Sequence, residues 1–315
     1  MLPELGFTDK KLVKGRASIA DMYQPGQRCG IYILQFDNEE YYAGKAIDVT
    51  RRFVQHSKVH SDISTIIFKQ VQSDRLDEEE RTVIQTLERT GYNLRNIVFT
   101  SIPKGESDFD VLMPVEQQEQ WLHGTKSDRE ASQYRVNDPI FRNKYRRTFN
   151  QFMESGQAEA VIFLLNQYVA QCIPIPNETE ISFWSVTCCP AKNIFSRINI
   201  NWQEVLTIMI DQDELWISLH LAESPFEQHS SKSIVDKFNQ YPYIEIYDHK
   251  YDPGGSDQIN FVFAAEWLSK LLNDESAITA MRVFNLRLMK KGPCNFGRFH
   301  CMDLADRILK YEIDG

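Results

Sequence analysis

The side chains best suited to chemistry lie between Gly30 and Asn93. Tyr32 and Tyr42 fall in two β-prone stretches on either side of an Asp37-Asn38 turn signal. A hairpin there puts both phenols on facing strands, converging on one side of the sheet. Taken alone, two strand tyrosines are ordinary core aromatics. Arg52 and His56 lie one helical turn apart and so share a helix face. A guanidinium fork stays charged and matches two phosphate oxygens. An imidazole beside it can accept a proton, or hold a tyrosine or a phosphate by hydrogen bonding. Without further company, such an Arg/His pair reads equally well as a solvated helix face. The run Asp77-Glu78-Glu79-Glu80 offers four carboxylates for one metal. Leu76, Val83, Ile84 and Leu87 mark the apolar stripe of that segment, and Glu80 falls near its centre. A carboxylate there is costly unless it is paired or binds metal. A cation for a phosphate, a proton acceptor and a hard oxygen ligand together point to phosphoester chemistry.

Positioning these groups needs a small α/β unit. Gly30 to Phe36 and Glu40 to Lys45 read as the hairpin strands. Asp48 is the expected N-cap of a helix running to about Ser57. Thr65 to Val71 reads as a strand, Asp77 to Arg89 as a helix ended by Gly91, and Asn96 to Ile102 as a further strand. The expected order is ββαβαβ, near the lower size limit for independent folding.

In order and spacing, Gly30-Ile31-Tyr32, Tyr42-Ala43-Gly44, Arg52 with His56, the acidic helix and Gly91-Tyr92-Asn93 resemble the GIY-YIG endonuclease superfamily over roughly residues 28 to 100. The resemblance implies a metal-dependent nuclease acting on DNA. Tyr32, helped by His56 or Lys45, would orient and deprotonate water. Arg52 and Tyr42 would bind the phosphate, and Glu80 would hold Mg²⁺ or Mn²⁺. Asn93 matches the asparagine that closes the motif set, although after Gly91 it also suits a plain helix exit. Lys45, between an arginine and a metal, would have a lowered pKa. The sequence departs from the family at Ala43, where isoleucine or valine is usual; alternation turns this residue away from Tyr42 and Gly44. One such site cuts one strand at a time.

The 315 residues divide, on this reading, into an N-terminal arm (1–29), the nuclease domain (30–105), a basic helical connector (106–158) and a C-terminal α+β domain (159–315), giving an α+β chain overall. With 42% hydrophobic and 25% charged residues the composition is that of an ordinary globular protein. Met1 to Arg16 lacks a signal-type apolar core, and the longest apolar run, Ala160 to Leu165, is too short to span a bilayer, so a cytoplasmic protein away from membranes is expected. The six cysteines show no CxxC spacing and read as buried thiols. A formal net charge of −9 argues against nucleic acid only if the cations are dispersed. They cluster twice: Lys10, Lys11, Lys14 and Arg16 in the arm, and Arg135, Arg142, Lys144, Arg146 and Arg147 in the connector. The second cluster flanks an apolar stripe, Phe141, Tyr145, Phe149 and Phe152, that should dock while Arg142, Lys144, Arg146 and Arg147 meet DNA phosphates. The C-terminal domain is expected to select the target, directly or through a partner protein or a second copy of the chain. The biological setting that fits best is phage defence or restriction. The competing reading is a catalytically silent scaffold of the same kind, serving as a DNA-binding or protein-interaction module.

Overall fold

The computed structural model describes residues 2–96, 99–103, 107–124, 135, 138–229, 238 and 244–309. The chain is α+β and divides into two compact units, residues 1–105 and 106–315.

The first unit is built on an antiparallel sheet of order β1-β4-β2-β3. Its strands are β1 (Lys10–Leu12), β2 (Gly30–Phe36), β3 (Tyr41–Ala46) and β4 (Ile63–Gln70). Helix α1 (Val49–Val59) follows β3, and α2 (Leu76–Arg89) follows β4. Strand alternation sorts the core. Ile31, Ile33, Ala43 and Ile67 pack under Leu76, Val83, Ile84 and Leu87 of α2. Tyr32, Leu34, Phe36, Ala46 and Ile66 pack under Val49 and Phe53 of α1. The caps follow from local sequence. Asp48 accepts hydrogen bonds from the amides of Thr50 at 2.9 Å and Arg51 at 3.3 Å. Gly91, at φ 83°, takes the left-handed turn that ends α2.

Two expectations fail in this unit. The segment 1–29 is no separate arm, because β1 extends the sheet along β4. Three of its four clustered cations are engaged within the unit: Lys11 Nζ reaches the Met22 carbonyl at 3.0 Å, Lys14 pairs with Asp37 at 2.9 Å and Arg16 with Asp21 at 2.5 Å. The strand expected over Asn96 to Ile102 does not form among the described residues; Leu94 makes an isolated parallel bridge to Tyr41. The reason is local. Phe99 sits at φ 68°, and the Glu88 carboxylate takes the amides of Ser101 (2.7 and 2.8 Å) and Ile102 (2.9 Å) that a ladder would need.

The second unit holds an antiparallel sheet of order β5-β6-β7-β8-β10-β9. These strands are β5 (Trp184–Ala191), β6 (Ile194–Ile200), β7 (Gln203–Asp211), β8 (Glu214–Leu221), β9 (Ile244–Tyr247) and β10 (Ile259–Ala264). The helices are α3 (Asp108–Leu112), α4 (Val115–Leu122), α5 (Pro139–Met153), α6 (Ala158–Cys172), α7 (Pro176–Thr179), α8 (Ser224–His229), α9 (Leu268–Leu272), α10 (Glu275–Lys290) and α11 (Met302–Leu309). In this unit the sequence pattern reads Ile181 to Cys188, Ile194 to Ile200, Val205 to Ile210, Leu215 to Leu221 and Tyr243 to Tyr247 as strands, and Ser231 to Asn239, Phe263 to Leu272 and Met302 to Tyr311 as helices; the five strands are present, the first shifted to Trp184–Ala191. β10 and the long α10 were not legible, and the helix expected over Phe263 to Leu272 is shortened to α9, because Phe261 and Phe263 alternate into the core from a strand paired with β8. The helix expected over Ser231 to Asn239 lies, except for Phe238, outside the described residues. Segment 106–158 is no free connector: Phe109, Met113 and Phe152 belong to this unit's core. No described helix is long and apolar enough to cross a membrane.

Candidate active site

The expected site residues of the first unit converge from opposite faces of one sheet. Tyr32 and Tyr42 lie on the α1 face, and Lys45 alternates to the α2 face. β3 is the edge strand, so groups from α1 and α2 meet just beyond it. There they line a cleft of about 570 Å³ formed by Tyr32, Tyr42, Lys45, Arg52, Gln55 and Glu80 with their neighbours. Two glycines make the geometry possible. A Cβ on Gly30 would lie 2.0 Å from the Lys69 carbonyl oxygen, and a Cβ on Gly44 would lie 2.6 Å from the Tyr32 hydroxyl. The Tyr32 phenol crosses the space a side chain at Gly44 would fill.

Tyr32 is the hinge of the polar arrangement. Its hydroxyl lies 2.8 Å from His56 Nε2 and accepts from Arg52 Nε at 3.3 Å. Burial, then the Coulomb field of Arg52 and His60, holds His56 down to about 4, so the ring is neutral near pH 7. A neutral ring with a free Nε2 receives the Tyr32 proton, and the order of donation runs from Arg52 to Tyr32 to His56. Burial, reinforced by Tyr42, pushes the Tyr32 phenol well above the ordinary tyrosine value, against the pull of Arg52. Tyr42 stacks against this assembly, its ring 4.8 Å from that of His56.

On the opposite wall Glu80 accepts from the Lys45 amide at 3.2 Å and pairs with the Lys45 ammonium at 3.0 Å. Its neighbour Glu79 is taken up elsewhere, by Lys69 at 2.7 Å and Arg75 at 2.9 Å. Of the four acids in the run, Glu80 alone lines the cleft. The expectation for Lys45 is overturned. Hydrogen bonding to Asp77, with the Glu80 carboxylate adding to it, outweighs partial burial and raises the ammonium pKa rather than lowering it.

Asn93 is not brought to the cleft. Its side chain is exposed, and its backbone carbonyl accepts from the Tyr41 amide at 2.7 Å. The asparagine that matters to the strand is Asn96, which sequence reasoning passed over as part of a strand. Its buried side-chain amide accepts from the Ala43 amide at 2.9 Å and donates to the Ala43 carbonyl at 2.7 Å. This pair of hydrogen bonds pins β3 between Tyr42 and Gly44. The available signal was slight, an asparagine at the edge of the apolar run Ile97-Val98-Phe99.

No family model, no curated protein and no solved structure matches this chain.

In the second unit the basic cluster on α5 is largely neutralised. Arg142 pairs with Asp303 and Asp306, both at 2.7 Å, and Arg146 with Asp303 at 2.6 Å. Lys144 donates to the Arg298 carbonyl at 2.9 Å, and Arg135 is held by Glu180 at 2.6 Å. Arg147 remains exposed. Arg142 and Arg146 therefore tie α5 to α11, while Lys144, Arg146 and Arg147 keep exposed surface. Of the apolar stripe of α5, Tyr145, Phe149 and Phe152 pack on the core. Among the described residues no group of three or more histidine, cysteine or acidic side chains is arranged to hold a metal. Cys188 contacts Cys189 and Cys301, all as free thiols.

Proposed function

We propose that residues 30–105 form a GIY-YIG-type, metal-dependent phosphodiesterase acting on DNA. The observation that carries this reading is the directed hydrogen-bond chain from Arg52 through Tyr32 to His56, facing the Glu80 carboxylate across one cleft.

Each group has work the geometry supports. A phosphate seated in the cleft meets Arg52 and Lys45, whose charges offset the negative charge that develops on its oxygens. A water on the Tyr32 side gives its proton to the phenol oxygen as the phenol passes its own proton to His56 Nε2. Hydroxide then forms the new bond to phosphorus, and the bond to the leaving deoxyribose oxygen breaks, that oxygen taking a proton from solvent. His56 finishes as imidazolium and returns the proton to solvent.

Glu80 fits a divalent metal as a single hard oxygen donor, with water and phosphate oxygens left to complete the shell, which suits Mg²⁺ or Mn²⁺. Such an ion would stabilise the leaving oxygen. Lys45 has to swing from Glu80 toward Asp77 to make room, and its existing contact with Asp77 provides the second station.

One observation favours the second reading, a silent module: the Lys45 ammonium already sits where the metal would bind. A single assay separates the two. Purified protein is incubated with plasmid, linear, branched and single-stranded DNA in Mg²⁺, Mn²⁺ or EDTA. Metal-dependent nicking of any of these supports the nuclease. Binding without cleavage in every metal supports the silent module. A role in phage defence or restriction, with the second unit selecting the target, is proposed with the nuclease reading and depends on it.

A further inference from the structure

A second concavity lies wholly within residues 106–315, between α6 and the β7–β8 hairpin, with a volume of about 840 Å³. Phe163, Leu215 and Trp216 form its apolar surface, each only partly covered. Asp213, Glu214 and Glu266 stand exposed around it, and no basic side chain lines it. No described residue is ion-paired with any of these three carboxylates. An apolar floor inside a rim of one charge selects a ligand that is apolar at its centre and cationic at its edges.

We infer that this groove docks a basic amphipathic helix of a partner protein. Nucleic acid is excluded by the sign of the rim. An extended peptide is disfavoured, because β7, β8 and β10 are all interior strands and leave no open edge to extend. Helix-in-groove docking is the recurring mode that remains, its apolar anchors entering beside Trp216 and its lysines or arginines meeting the rim. A second copy of this chain does not supply such a helix from its cation-rich segments. Lys14 and Arg16 are paired with Asp37 and Asp21, and Arg142 and Arg146 with Asp303. This inference stands independently of the cleft in the first unit.

The test titrates the full-length protein against a labelled leucine–lysine amphipathic helix and its leucine–glutamate counterpart, reading fluorescence anisotropy at low and raised salt. The lysine helix is expected to bind with salt-sensitive affinity and the glutamate helix not to bind. The surface variant Asp213→Asn/Glu214→Gln/Glu266→Gln, which leaves the core intact, should weaken binding about tenfold. Hydrogen exchange should slow in the first turns of α6 and in the β7–β8 hairpin. Equal affinity of the triple variant and the wild type overturns the inference. So does protection that maps elsewhere, or protection of this groove by a duplex oligonucleotide.

Discussion

At Tyr32 the protein brings a buried phenol, a half-buried imidazole and an exposed guanidinium into hydrogen-bond reach, and the charge states follow from that placement. His56 is depressed to about 4 from 6.5 in the fold. Between those values the unfolded chain binds a proton that the folded chain refuses. The stability due to neutral His56 is therefore complete above about pH 6.5 and lost as pH falls through about 4. An NMR titration should place the His56 midpoint near 4, and Arg52→Ala should raise it without restoring 6.5, since burial is the larger cause. A wild-type midpoint at 6.5 would mean a solvated ring that does not receive the Tyr32 proton. The acids make a second residue-scale contrast. Glu80→Ala should abolish cleavage and leave DNA affinity nearly unchanged, because the phosphate contacts come from cations. Glu79→Ala should leave the cleavage rate near wild type and lower stability instead, since Glu79 holds Lys69 and Arg75. Reversal of these two phenotypes would move the metal ligand one residue along α2. Tyr32→Phe, which removes the relay hydroxyl and little else, should slow single-turnover cleavage by at least about a hundredfold.

At the scale of elements, the site depends on where the edge strand β3 is held. β2 fixes one side of β3 through the ladder, and the Asn96 side chain fixes the other by gripping the Ala43 peptide. Asn96→Ala leaves a buried amide and carbonyl unsatisfied and should cost about 1–3 kcal/mol, read by denaturant unfolding. It should also lower the cleavage rate, because Tyr42, Gly44 and Lys45 ride on the same strand. Asn93→Ala should do neither. Equal effects of the two substitutions would show that the exposed asparagine has a role the geometry does not supply.

At the scale of the whole molecule, the expected boundary at residue 105 separates two compact units, and residues 106–158 belong to the second of them. α5 carries its apolar stripe and its arginines into the second unit, so a fragment ending at 158 would expose Phe149 and Phe152 and leave Arg142 without its aspartates. Arg142→Gln/Arg146→Gln should therefore lower the melting temperature of the second unit and leave the salt dependence of DNA binding unchanged. A flatter salt slope at constant stability would restore these arginines to a DNA-binding role.

What the sequence determined by itself is local. The hairpin, the Asp48 cap, the Gly91 stop and the apolar stripe of α2 all depend on residues within a few positions of one another, where steric and hydrogen-bond preferences act directly. The order of motifs that placed Tyr32, Tyr42, Arg52 and Glu80 in one expected site belongs to the same level. What only the tertiary structure decided is which distant groups become partners. Asn96 was read as a strand residue until Ala43 lay beside it, and the strand expected there was displaced by Glu88 capping its amides. Lys45 was read as having a lowered pKa until Asp77 and Glu80 closed on its ammonium. Arg142 and Arg146 were read as phosphate ligands until Asp303 and Asp306, more than 150 residues away in sequence, lay beside them. Charge and hydrogen-bond partners are chosen by proximity in space, which packing sets and local sequence does not encode.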